Sequence, residues 1–212
     1  MLHEADAILQ RACPTLPVPL HGALEPMTQP GQRILMASNG AFVQFKRDWL
    51  DAVLRIGKLA PGFPLPYGEA EERLSLTFGP MPVALVEEFL HMARAALPNE
   101  VGAVVVWSSR QSRLRLEQCV TAMALPARLN CYWPQLAEDE EVILDLHSHG
   151  RYPAYFSATD DRDDTGFNMC GVLGNVDRDT PSAAFRLCAN GYKRGMRMPW
   201  DRVPPWQMAC PP

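Results

Sequence analysis

The segment Val142-Ile-Leu-Asp-Leu-His147-Ser-His149-Gly-Arg-Tyr-Pro-Ala-Tyr-Phe-Ser157-Ala-Thr-Asp160 decides how the rest of the chain is read. Val142 to His149 is strongly β-prone, and period two puts the imidazoles of His147 and His149 on one face at the strand's end. A divalent metal needs several convergent ligands, and a rigid strand that fixes two of them lowers the cost of ordering the rest. His147 and His149 are therefore candidate zinc ligands. A loop leads to Ser157, and the spacing Ser-x-x-Asp places Asp160 one turn into a following helix, where its carboxylate can turn back toward the histidines. The same spacing is that of a helix capping box, a structural reading that stands beside the metal one. Asp145 lies two residues before His147 on the same strand face and is either a partner for an imidazole or a solvated carboxylate.

Outward from this segment the pattern is regular. Pro82 opens a helix through Ala96 with Leu85, Val86, Phe89, Leu90 and Met92 on one face. Pro98-Asn99-Glu100 then turns into Val101–Trp107, a continuous apolar run suited to a central strand covered on both sides. Cys119–Ala124 reads as a further strand, Glu138–Glu141 as an acidic turn, and Cys170–Val176 and Ala183–Ala189 as the last two strands, joined by Asp177–Pro181. Asp161, Asp163 and Asp164 prolong the acidic run after Ser157 and fit a structural role in a helix's first turn. Cys170 and Cys188 fit the core. Tyr155 and Phe156 read as packing residues before Ser157, with a groove lining as the other reading.

Upstream, Arg33–Phe45 holds two β-prone runs around Ser38-Asn39-Gly40, a hairpin signal. Arg47–Gly57 spaces Trp49, Leu50, Val53, Leu54 and Ile56 as a short helix would. Ala60–Gly68, with three prolines, reads as a linker, and Arg73–Phe78 alternates like the strand that opens the following domain. The organisation expected is an N-terminal extension over 1–68 with a hairpin and short helix, an α/β or α+β domain over 69–200, and a proline-rich tail over 201–212. Pro14 to Pro30 and Pro199 to Pro212 argue for extended ends.

Composition bounds the function. The chain has 212 residues, 20 Lys plus Arg against 24 Asp plus Glu, a net charge of -4 and 47% hydrophobic residues. This excludes a disordered or collagen-like chain and gives no basic face for nucleic acid or anionic lipid. The longest apolar runs fall short of the roughly 20 residues of a membrane helix. Six cysteines without a CxxC pair, and no signal peptide, lead to the expectation of free thiols in the cytoplasm.

The pattern His147-x-His149-x7-Ser157-x-x-Asp160 resembles that of the JAMM family, the MPN-plus domain, whose zinc-dependent members cleave isopeptide and peptide bonds next to ubiquitin-like proteins. The resemblance spans about residues 70 to 195. It implies an MPN or cytidine-deaminase-like sheet flanked by helices, one zinc per chain held by His147, His149 and Asp160, oxyanion stabilisation by Ser157, and Glu100 as base at the head of its apolar strand. The departures are Gly150, where relatives commonly have proline, and Ala103 and Trp107, where they have glycines. The form HSHG…FSATDDRDD is similar to bacterial JAMM proteins encoded beside ubiquitin-like modifiers, of the PRTRC-system protein A type or from ubiquitin-like antiviral defence systems. The partners implied are a ubiquitin-like protein or its conjugate and the E1- and E2-like enzymes of the same operon. A catalytically silent scaffold of the same fold, or a peptidase acting on a sulfur-carrier protein, is the alternative.

Overall fold

A computed structural model of the chain describes residues 3–60, 62–63, 65–126 and 128–204. The chain divides into two compact units, Met1–Gly79 and Pro80–Pro212.

The first unit begins with helix α1 (Glu4–Ala12), whose first turn is capped by the His3 ring accepting the Ala5 N–H. A five-stranded sheet follows in chain order: β1 (Thr15–Pro17), β2 (Gly31–Ala37), β3 (Gly40–Lys46), β4 (Leu50–Gly57) and β5 (Arg73–Leu76). The β2–β3 hairpin turns at Ser38-Asn39 as its sequence requires, and the Asn39 amide ties it to both polar groups of Ala70. Two expectations change here. Arg47–Gly57 is not a helix: Leu50–Gly57 is a central strand between β3 and β5. Trp49, Leu50, Ala52, Val53 and Leu54 are all buried, so apolar residues fill both faces of the strand and mimic helical spacing. Arg73–Leu76 closes this sheet as its edge instead of opening the next unit, with Asp51 accepting from both Gln44 and Arg73 across the strands. The proline-punctuated start is also more ordered than expected, since β1 pairs in parallel with β2 and Val18 enters the core with Leu35, Ala37, Phe42 and Val53.

The second unit opens with α2 (Val83–Ala96), which buries Val83, Val86, Phe89, Leu90 and Ala93. Leu85 and Met92, expected on that face, are only half-buried, because the buried stripe is centred on the 83/86/90/93 row. After it come β6 (Gly102–Ser108), β7 (Arg113–Gln118), β8 (Val120–Leu125), β9 (Arg128–Tyr132), β10 (Glu140–Ser148), the six-residue helix α3 (Ala158–Asp163), β11 (Phe167–Gly174), β12 (Ser182–Ala189) and β13 (Tyr192–Gly195). Six strands form one sheet in the order β13-β12-β11-β10-β6-β7, while β8 and β9 form a separate ribbon. All seven residues of β6 are buried, as its continuous apolar run requires. Cys131 and Leu136 pack against Val104, Val106, Cys119 and Val142 on one side of the sheet. The mixed α/β architecture of a sheet with few flanking helices is that expected. Strands β7, β9 and β13 were not expected.

Of the proline-rich end, residues 199–202 fold back on α2. The Met81 N–H donates to the Pro199 carbonyl, the Met81 carbonyl accepts the Asp201 N–H, and the Asp201 carboxylate caps the helix at the Val83 N–H. Arg202 pairs with Glu87. Residues 205–212, most of the expected tail, lie outside the described residues. Among the described residues no helix is long and apolar enough to cross a membrane.

Candidate metal centre

β10 sits between β6 and β11, parallel to the latter, with His147 near its end and His149 one residue beyond it. Their Nε2 atoms lie 3.2 Å apart, and Asp160 Oδ1 lies 3.4 Å from His147 Nε2. Two of the three donors are aimed by local devices. The Nδ1 of His149 faces the Pro153 carbonyl at 3.2 Å. A proton on that nitrogen leaves Nε2 as a lone pair. Gly150 makes the turn that brings Pro153 round: it is left-handed at φ +54, and the Tyr152 N–H returns to the His149 carbonyl. Proline is fixed near φ −65 and has no place in that conformation, which accounts for the departure at Gly150. The loop then rests on Gly174 of β11, where a Cβ would come within 2.3 Å of Ala154 N and Tyr152 O. For Asp160 the device is the capping box. Ser157 N–H donates to Oδ2 at 2.5 Å while Ser157 Oγ accepts from Thr159 and Asp160, so Oδ1 is left to face His147. The capping reading of Ser-x-x-Asp is thus observed, and the cap leaves Asp160 Oδ1 toward His147.

Glu100 precedes β6 and is 8% exposed. The β6–β10 register shifts at a bulge between Val142 and Leu144, after which His147 pairs with Gly102. Continuing that register sets Glu100 opposite His149, and directly opposed residues of an antiparallel pair share a face. Ser148, between the histidines, points the other way. It is fully buried, and its Oγ accepts the Val101 N–H at 3.0 Å, which ties the end of β10 to the residue after Glu100. Nothing in the sequence marked Ser148 out.

The electrostatics follow from this packing. Burial pushes the Glu100 carboxyl up to about 7, with the Asp160 charge adding to it. Burial also lowers the His147 imidazole to about 4, against the pull of Asp160, so the ring is neutral at pH 7. Asp160 lies below the usual carboxylate range: burial alone would raise it, and His147 and the bonds from Ser157 outweigh that. Two imidazole nitrogens and a carboxylate oxygen therefore converge on one point. Two His nitrogens with one carboxylate oxygen are a donor set that fits zinc. Ser157 uses its oxygen as acceptor in the cap and keeps its O–H as a donor.

The remaining candidates fall around this centre. Asp145 takes the indole N–H of Trp133 at 2.9 Å, not an imidazole, and burial raises it to about 6. Asp161 and Asp164 pair with Arg186 of β12, a residue the sequence reading passed over although the acidic run called for a cation. Cys170 and Cys188 are buried with their Sγ atoms 3.4 Å apart, and with Asp164 they form a second group of metal-ligating types. Arg186 already occupies Asp164 Oδ2 there. Five described cysteines are free thiols. Phe156 lies under the Arg186 guanidinium, whereas Tyr155, expected to be packed, is 55% exposed and stands edge-on to the His149 ring.

No curated protein matches the chain. Among solved structures, the solution structure of a Desulfitobacterium hafniense protein is similar at 18% identity with a TM-score of 0.43, covering 57% of this chain and 91% of that one. Residues 3–77 match a domain of unknown function, DUF2016. Residues 82–188 match the family described as prokaryotic homologs of the JAB domain, and to that family the chain belongs.

Proposed function

We propose that the second unit is a zinc-dependent peptidase that cuts the peptide or isopeptide bond following a ubiquitin-like modifier. The observation that carries the reading is the convergence of His147 Nε2, His149 Nε2 and Asp160 Oδ1, with a buried carboxyl at Glu100 on the same face. When bound there, zinc supplies a Lewis acid that acidifies water to a pKa of about 7 and polarises the scissile carbonyl. Glu100 takes the proton of the attacking water at its carboxylate. As the C–N bond breaks it returns that proton to the leaving amine. The Ser157 hydroxyl donates to the carbonyl oxygen as negative charge develops on it. Tyr155, exposed beside His149, borders the approach to the scissile bond.

The modifier itself, and its processing before or removal after conjugation, belong to the resemblance to PRTRC-type and antiviral-defence JAMM proteins. The test uses the full-length protein. Zinc is expected to copurify at one per chain, and Glu100→Gln and His147→Ala are each expected to abolish cleavage of a modifier conjugate while the fold survives. Full activity in Glu100→Gln would remove the assigned base. Stoichiometric zinc without cleavage of any modifier fusion would favour the scaffold, and cleavage of a sulfur-carrier fusion alone would favour that substrate.

A further inference from the structure

Helix α3 carries both Ser157, as its N-cap, and Asp160, yet it is six residues long and buries none of them. A helix of this length has no independent stability, and its capping box sets its shape without setting its location. Its location comes from β13, whose Lys193 donates to the Asp161 carbonyl at 2.8 Å, and from β12. There Arg186, its side chain only 7% exposed, donates from Nε (3.1 Å) and Nη2 (2.6 Å) to Asp164 Oδ2 and from Nη1 (2.5 Å) to Asp161 Oδ1. The guanidinium also lies 3.9 Å over the Phe156 ring. The three residues gripped bracket the two functional ones: Phe156 precedes Ser157, and Asp161 and Asp164 follow Asp160. Asp161 lies within the helix and Asp164 is its C-cap, so a fork that holds both carboxylates fixes rotation about the helix axis as well as position. One residue's rotation is about 100°, enough to swing Asp160 away from His147.

We infer that Arg186 is a positioning residue of the metal centre, acting through Asp161, Asp164 and Phe156 to hold Asp160 against His147. The inference rests on the metal reading above. A lysine at 186 keeps the charge but cannot fork to two carboxylates and stack on a ring at once, so Arg186→Lys separates charge from geometry.

The experiment measures zinc affinity by chelator competition, the visible spectrum of the cobalt-loaded protein, and hydrogen exchange of the metal-free protein, for the wild type, Arg186→Gln, Arg186→Lys and Asp161→Asn. Expected is a 10–100-fold loss of affinity in both arginine variants with an altered cobalt spectrum. In the metal-free variants the Asp161 and Asp164 amides should exchange faster while β10 and β11 are unchanged. Asp161 is 56% exposed, so Asp161→Asn keeps the fold and should show a smaller loss even where Arg186→Gln does not fold. Wild-type affinity with unchanged α3 exchange in Arg186→Lys and Asp161→Asn overturns the inference alone. Absence of zinc binding in the wild type overturns the metal reading and this inference with it.

Discussion

Replacing Glu100 by glutamine should make the metal-free protein more stable at neutral and alkaline pH. In the folded chain burial and the Asp160 charge hold the Glu100 carboxyl at about 7, against an ordinary value of 4.5. Below pH 4.5 the group is protonated folded and unfolded alike, and it costs nothing. As pH rises from 4.5 to 7 the unfolded chain releases the proton while the folded one retains it, so stability falls. Above 7 the cost is constant. The gap corresponds to about 3.4 kcal/mol at most, at 1.36 kcal/mol per pH unit. Part of it is recovered by relaxation around the charge, leaving an expected gain of about 1–3 kcal/mol for Glu100→Gln at pH 8 and almost none at pH 4.

The assay is urea unfolding of chelator-treated wild type and variant at several pH values, with the midpoint shift read at constant slope. Hydrogen exchange of β6 amides reports the second unit separately. A variant no more stable than wild type at pH 8 would refute the reasoning, as would a difference that does not shrink toward pH 4. Zinc added to the wild type should reduce the destabilising slope, because a cation at the three proposed ligands offsets the field of Asp160 and leaves only the contribution of burial.

Ser157→Ala removes the acceptor of two α3 N–H bonds and should cost about 0.5–2 kcal/mol, read by unfolding. It should also lower kcat by about 10²–10³ with little change in KM. Gly174→Ala forces a methyl into the backbone of residues 152–154, and should weaken zinc binding in a chelator titration by displacing Pro153 from His149. Ser148→Ala leaves the buried Val101 N–H without its bond and should cost about 1–3 kcal/mol, measured by urea unfolding.

The convergence of the three proposed ligands was legible in the sequence because local rules set their directions: strand period for His147 and His149, the capping spacing for Asp160. The residues that hold them were not. Arg186 lies 22 and 25 positions from the carboxylates it grips, and Pro153 acts through its backbone, which no side-chain pattern can advertise. In the first unit, Leu50–Gly57 misled because a strand buried on both faces carries apolar residues at every spacing, a helical one included.

Glu100 marks where local reading stops. Its assignment came from resemblance, and its place depends on pairing between segments about 45 residues apart. From Glu140 to Val142 the β10 residues pair with Ser108 to Val106, and carried on unbroken that register would set Glu100 opposite Ser148, on the face away from the histidines. The bulge at Ile143 adds one residue to β10, and from Leu144 onward the pairing is offset so that Glu100 falls opposite His149. A one-residue slip exchanges the two faces of a strand. Ile143 is fully buried, so the core holds the extra residue in place. The carboxylate therefore shares a face with the ligands by virtue of a bulge four residues before the first histidine, and Ile143 in its hydrophobic setting is as much a condition of the proposed chemistry as the polar residues that carry it.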